Sequence, residues 1–303
     1  MKISYIILTW NSENFIENCI NSILSIKEIE NNIIVIDNGS KDDTRKLLEK
    51  YETKINTILL DKNYGTTKSR NMGIKQIESD SDYVCFLDSD TKINKDAMKE
   101  MIQVLENDHD IGIVGPKMQT SNGLVQKSGR KFPTVKLKIL KAIPIKSFEK
   151  RGEMLENYDF NERKEIYEVD YLMGACWLLR KDIVDKVGML DEKIFYAPED
   201  VDYCARIWQN GYKVVFCQNA NIIHEWQRIS KKKIISKMNL EHIKGLAYFF
   251  KKYGYINNPR GKIKIKKIGE INEKNKRKFK IYKNKRCFKH FHIYNYNSFC
   301  CDN

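Results

Sequence analysis

The residues best placed to do chemistry are acidic pairs spaced two apart. The pattern Asp-x-Asp occurs four times, at Asp80/Asp82, Asp88/Asp90, Asp108/Asp110 and Asp200/Asp202. Spacing alone carries no chemistry, and position separates the four. Asp88-Ser89-Asp90 follows directly on an apolar run at 83–87, and Asp37 follows on a run at 33–36. The first such run, 3–9, ends in Thr9-Trp10-Asn11. Carboxylates gathered at one edge repel each other unless a cation or hydrogen-bond donors intervene. Oxygen ligands that hold Mg2+ or Mn2+ against phosphates meet that requirement. Asp and Asn are also ordinary turn residues at strand exits, so both readings stand at this point. A second constellation runs from Tyr196 to Asp202. Pro198 suits the first turn of a helix, and Glu199, Asp200 and Asp202 complement its dipole. Asp202 is spaced to pair with Arg206, and Asp200 differs from an ordinary capping acid only if it points into the same cleft. His224 closes another apolar run, where a lone histidine is more often a structural side chain than a ligand.

Positioning these groups requires strands, and the apolar runs predict them at 3–9, 33–36, 55–60, 83–87 and 112–114. Helical patterns fill the gaps at 13–25, 41–51, 66–77 and 95–107. The near-continuous apolar runs imply a sheet covered on both faces. This alternation predicts an α/β fold with a mostly parallel, doubly wound sheet flanked by helices. Ligands then bind beyond the carboxyl ends of the strands, where Asp37 and Asp88 fall, whereas Asp80 and Asp82 enter from the opposite edge. From 118 to 163 the pattern weakens and reads as surface excursions. Periodicity returns at 169–179, followed by helices at 181–187 and 198–210, strands at 213–217 and 221–224, and an amphipathic helix at 232–252.

Composition bounds what this arrangement can be. The 303 residues are 42% hydrophobic and 31% charged, as expected of a soluble globular protein. No apolar run reaches the ~18 residues of a membrane span, and the N-terminus lacks signal-peptide character, so the cytoplasm is the expected location. Eight scattered cysteines imply no disulfide framework. The net charge of +14 is unevenly placed, with 14 Lys and Arg against three acids in residues 256–303. We therefore expect a folded domain over 1–255 and a basic, partly disordered tail over 256–303. The tail suits peripheral contact with an anionic inner membrane face. Charge of this kind also suits nucleic acid, though no nucleic-acid partner is expected. The spacing of Cys287, His290, His292, Cys300 and Cys301 fits none of the usual zinc pairs.

The ordered set of motifs resembles family 2 of the GT-A glycosyltransferases. It comprises the strand and turn Ile6–Asn11, Asp37-Asn38-Gly39-Ser40, Asn63-Tyr64-Gly65 with Arg70-Asn71-Met72-Gly73, and Asp88-Ser89-Asp90. Gly174-Ala175 before Arg180-Lys181, Glu199-Asp200-x-Asp202 with Arg206, and His224 complete it. The resemblance covers residues 2–255, and it lies nearest the rhamnosyltransferase-like members that build bacterial surface polysaccharides. It implies an enzyme that takes a sugar from a UDP- or dTDP-linked donor, with inversion, to a saccharide or lipid-linked hydroxyl. One sugar is expected per encounter. The implied roles are donor binding by Thr9, Asn11, Asp37, Asn38, Arg70, Asp88, Ser89, Gly174 and Glu199. Asp90 and His224 would hold Mn2+ or Mg2+, and Asp200 would be the general base. A nucleotidyltransferase is disfavoured, because the segment Trp10-Asn11-Ser12-Glu13-Asn14 lacks the glycine-rich loop such an enzyme needs. The alternative is a membrane- or nucleic-acid-binding protein whose GT-A domain is catalytically idle.

Overall fold

In a computed structural model, which describes residues 1–160, 164–225 and 237–254, four strands build a parallel half-sheet. They are β1 (Lys2–Thr9), β2 (Glu30–Asp37), β3 (Asn56–Leu59) and β4 (Tyr83–Asp88), in the order β3-β2-β1-β4. The register sets Thr9 opposite Asp37 and Leu8 opposite Asp88, so three strand ends open on one edge. Chain direction across the sheet reverses between β1 and β4, where doubly wound sheets bind ligands.

Alternation in the strands splits the apolar residues between two faces. Ile3, Tyr5 and Ile7 of β1 pack with Ile33, Val35, Cys85 and Leu87 on one face. There they meet α1 (Ile16–Leu24), which buries Ile16, Cys19, Ile20 and Ile23 at helical spacing, and α4 (Lys95–Asn107) with Met98, Met101 and Leu105. Each fully buried Ile contributes about 1.5–3 kcal/mol. After α2 (Thr44–Glu49), the helix α3 (Thr66–Ile74) covers the opposite face with few apolar residues, burying Ser69, Arg70 and Asn71 instead. Gly73 is what lets it approach, since a Cβ there would stand 2.7 Å from Ile6 and Ile36. A helix that sinks a charged side chain into the interior does so to position it.

The sheet continues beyond β4 through β11 (Cys176–Arg180), β6 (Ile111–Gln119), β12 (Lys213–His224) and the short β5 (Thr91–Lys92). β6 and β12 are parallel, but β11 runs antiparallel between β4 and β6, so the mostly parallel sheet carries one reversed strand in its middle. Trp177 of β11 stacks on Tyr203 of α8 (Glu199–Gln209), with ring centroids 5.8 Å apart. The remaining elements are β7 (Val125–Gln126), β8 (Gly129–Arg130), α5 (Val135–Ala142), α6 (Lys146–Glu156), β9 (Ile166–Glu168), β10 (Tyr171–Leu172), α7 (Lys181–Val187) and α9 (Lys237–Tyr253).

Two expectations are corrected. The stretch 118–163 holds structure: β6 runs on to Gln119, and α5 and α6 follow. The helices were hidden because α5 buries little beyond Leu137 and α6 buries Gly152 and Glu156, so lysines dilute their apolar period. The two strands expected at 213–217 and 221–224 are one strand, β12, with a register shift between Cys217 and Asn221. Among the described residues, no helix is long and apolar enough to cross a membrane. The basic tail 256–303, with its cysteines and histidines, and the start of the helix expected at 232 lie outside the described residues.

Candidate active site

A cleft of about 320 Å³ opens at the carboxyl ends of β1 and β4. One wall is built by the turn after β4. Asp88 ends the strand, Ser89 and Asp90 form the turn, and β5 follows at once. β5 pairs with the end of β12, setting His224 opposite Thr91, and the Glu225 amide donates to the Asp90 carbonyl at 3.0 Å. This two-residue ladder brings His224 to Asp90, with Nε2 3.4 Å from Oδ1. Asp88, Asp90 and His224 offer three ligand atoms within 4.8 Å of one another.

The His224 ring is oriented from behind by Gln126. Gln126 Nε2 donates to the His224 carbonyl at 2.8 Å, while its Oε1 lies 2.6 Å from Nδ1. With the amide nitrogen committed, Oε1 accepts from Nδ1–H, which leaves Nε2, facing Asp90, as the ring atom that could ligate a cation. An imidazole fixed in that tautomer beside two carboxylates suits a divalent cation of the Mn2+ or Mg2+ type.

The facing wall is the start of α8. Glu199 and Asp200 line the cleft together with Met173, Gly174 and Tyr196. Asp202 does not, being 1% exposed and turned toward α9. It accepts from Arg206 Nε at 3.1 Å, Lys252 Nζ at 2.7 Å and Tyr253 Oη at 3.0 Å. The expected pairing with Arg206 is thus present.

Arg70 joins the two walls from beneath. Its Nη2 donates to Asp88 Oδ1 at 2.6 Å and to the Gly174 carbonyl at 2.8 Å, and Nη1 lies 3.8 Å from Glu199 Oε1. A side chain at Gly174 would crowd this contact, since its Cβ would stand 3.2 Å from Arg70 Nη1.

Residues 4–188, more than half of the chain, match the family described as glycosyl transferase family 2. The chain belongs to this family. Poly-beta-1,6-N-acetyl-D-glucosamine synthase of Staphylococcus aureus (strain MSSA476) is 25% identical over 218 residues, 71% of this chain and 47% of that protein. The poly(ribitol-phosphate) beta-N-acetylglucosaminyltransferase TarS of S. aureus (strain Mu50 / ATCC 700699) is 35% identical over 129 residues, 41% of this chain and 22% of that one. The chain therefore spans about half the length of the first of these relatives and less of the second. Among solved structures, S. aureus TarS 1-349 in complex with UDP-GlcNAc superposes with a TM-score of 0.52 at 20% identity, covering 84% of this chain and 74% of that one. GalNAc-T7 with UDP, GalNAc and Mn2+ gives 0.58 at 14% identity, covering 74% and 44%. These two likenesses concern the fold, which is GT-A.

Within this family 2 chain, the residues expected at the site fall into two groups. Asn38, Asp88, Ser89, Asp90, Gly174, Glu199, Asp200 and His224 line one cleft. Thr9, Asn11, Asp37 and Arg70 stand behind or beside it. Thr9 is buried, its hydroxyl without a partner among the described residues. Asp37 is fully buried, accepting from Arg45 Nε at 2.6 Å and from the Ser40 amide. Asn11 adopts a left-handed backbone (φ 50°), accepts from the Lys41 amide and donates its own amide to Ser40 Oγ. Even Asn38 is held from four sides, by Asn63, Gly65, Tyr64 and Ser69. Gln126 escaped sequence reasoning altogether: a lone Gln in a weakly patterned stretch carries no signal.

A helix N-terminus favours a charged carboxylate, but at Asp200 burial outweighs the Val201 amide and the nearby cations and raises the pKa. Glu199 is pushed up to about 8 by burial and by the charge of Asp200, against the pull of Arg70. On the facing wall burial also raises Asp88, with Arg70 opposing and Asp90 adding to it.

Proposed function

We propose that the protein is an inverting, metal-dependent glycosyltransferase acting in cell-surface polysaccharide biosynthesis. It takes a sugar from a nucleotide-diphosphate sugar, UDP-N-acetylglucosamine being the first candidate, and attaches it to a saccharide or lipid-linked hydroxyl. The carrying observation is that the cluster of Asp88, Asp90 and His224 lines the same cleft as Asp200. Family membership and the names of the relatives supply the donor class; those names carry N-acetylhexosamines rather than rhamnose.

Asp90 and His224, with Asp88 beside them, would hold the cation, which supplies positive charge against a departing diphosphate. The chain's own work lies opposite. Asp200 takes the proton of the acceptor hydroxyl as that oxygen bonds to the anomeric carbon. The bond from that carbon to the diphosphate breaks, and its electron pair leaves with the phosphate. Attack from the Asp200 side, opposite the leaving group, inverts the configuration. Glu199, pushed up to about 8, is mostly protonated at neutral pH and so adds little negative charge beside Asp200. Holding both substrates in line supplies much of the remaining acceleration. The anomeric configuration of the first product, read by proton NMR from UDP-N-acetylglucosamine and a panel of hydroxyl acceptors, tests the reading. Retention of configuration, or the absence of turnover with any nucleotide sugar and Mn2+, would sink it.

A further inference from the structure

Exposed aliphatic side chains concentrate on one group of helices. Of the twelve well-exposed large apolar side chains among the described residues, six belong to α5, α6, α9 or the link between the first two. They are Ile139, Ile145, Met154, Leu155, Leu240 and Ile243, with Met154 69% and Ile243 64% exposed. Isolated exposed aliphatics need no explanation, but six on three neighbouring helices do. The helices are joined. A Cβ on Gly152 of α6 would stand 2.5 Å from Lys141 of α5, and the Phe132 ring ahead of α5 lies 6.5 Å from that of Phe249 in α9. Helical spacing keeps the exposed groups apart from the packed ones. In α9, Gly245 packs on Ala197, Phe249 on Phe132, and Tyr253 donates to Asp202. Leu240, Ile243, Lys244, Ala247 and Lys251 follow at i, i+3, i+4, i+7 and i+11 on the opposite, exposed face. In α6, Gly152 and Glu156 are buried, whereas Lys150, Arg151, Met154 and Leu155 are exposed.

The same helices are basic. Residues 135–156 and 238–253 carry nine Lys or Arg against Glu149, Glu153, Glu156 and Glu241. Glu156 and Glu241 are already engaged by Lys141 and Lys244. Lys136, Lys146, Lys150, Arg151 and Lys251 are exposed and have no ion pair among the described residues. Aliphatic groups set among unpaired cations suit an anionic bilayer, where the apolar groups enter the headgroup region and the charged ends stay with the lipid phosphates. The chain that follows α9 adds to the match, since 256–303 holds 14 Lys and Arg against three acids. Nucleic acid would use the charge and leave the aliphatic groups in water. A second copy would bring like charges together.

We infer that α5, α6 and α9 form a docking surface for an anionic lipid bilayer, with the exposed faces of α6 and α9 entering it at headgroup depth. Met238, in the first turn of α9, lines the cleft. The bilayer therefore meets the protein beside the cleft mouth.

The test is sedimentation of the full chain with vesicles of phosphatidylglycerol and phosphatidylcholine in equal parts, against vesicles of phosphatidylcholine alone. The anionic vesicles should bind more tightly. At about 1 M salt, where the screening length falls to about 3 Å, a residual affinity for them should remain, because apolar insertion is not screened. Met154→Ser and Ile243→Ser should each lower that residual affinity about tenfold, the loss of one inserted aliphatic side chain. Leu59→Ser, at a comparably exposed position on the edge strand β3, should leave it unaltered. Tm should hold in all three variants, since each side chain is exposed in the free protein. Wild-type binding abolished by salt would reduce the contact to charge alone, as for the tail or for nucleic acid, and would overturn the docking surface. Unaltered residual affinity in either variant, or equal binding to both kinds of vesicle, would do the same. So would a lipid-free dimer, seen by sedimentation equilibrium, that Ile243→Ser dissociates, because the face would then belong to a second copy. No turnover is read, so this outcome and that of the transferase reading are separate.

Discussion

The same three-residue pattern, Asp-x-Asp, stands on both walls of the cleft and does different work on each. At Asp88-Ser89-Asp90 it closes a strand and turns toward β5, and the turn brings both carboxylates, with Ser89 between them, to the cleft. At Asp200-Val201-Asp202 it opens a helix, where residues two apart are turned by roughly 200°. Asp200 accordingly meets the cleft, whereas Asp202 is buried against Arg206, Lys252 and Tyr253. A strand exit gathers charge for a shared ligand. A helix start separates one reactive carboxylate from one structural one.

Substitution can break this contrast, and the largest effect should come at Asp200. Asp200→Asn keeps the shape and should lower transfer about 10²–10⁴-fold, the usual contribution of a positioned base, with nucleotide-sugar affinity near normal. Steady-state kinetics beside calorimetric donor binding would show it, and a variant retaining most of its turnover would remove the assignment. On the other wall, Gln126→Leu should weaken Mn2+ binding about 10–100-fold, as loss of an orienting partner does. Electron paramagnetic resonance of free Mn2+ reports this without turnover, and unaltered affinity would mean that the tautomer of His224 is set elsewhere. Asp202→Asn should act on stability, costing about 1–3 kcal/mol in urea unfolding, with donor affinity spared.

The smallest effect concerns pH. Glu199 has a folded pKa of about 8, above its ordinary value of 4.5. The folded state therefore holds more protons than the unfolded state between those values, and its stability falls as pH rises through them. Glu199→Gln should flatten that slope in unfolding midpoints measured from pH 5 to 8. An equally steep slope in the variant would place the responsible proton elsewhere.

Much of this was legible in residue patterns. The strands that carry Thr9, Asp37 and Asp88 are uninterrupted apolar runs ending in polar residues, which is what a doubly covered parallel sheet requires. α8 was announced by Pro198 and three acids, and the pairing of Asp202 with Arg206 by helical spacing. Other features had no local trace. Trp177 and its neighbours form an apolar run that looks the same in a parallel or a reversed strand. Arg70 lies in a helix of little amphipathic character, and only tertiary packing shows that it sits beneath both walls. The helices of 118–163 expose lysines on most sides, so their period could not be seen. The pKa of Asp200 depends on burial, which no one-dimensional pattern reports.

Arg70 has a thermodynamic consequence. One guanidinium touches Asp88 on the donor wall and approaches Glu199 on the base wall. Whatever binds at Asp88 changes the field that Arg70 exerts on the Glu199–Asp200 pair, and protonation of that pair changes the affinity at Asp88. Such linkage is reciprocal, with the same free energy read from either side. The cleft behaves as a single titrating unit, in which loading one substrate retunes the acid–base state awaiting the other.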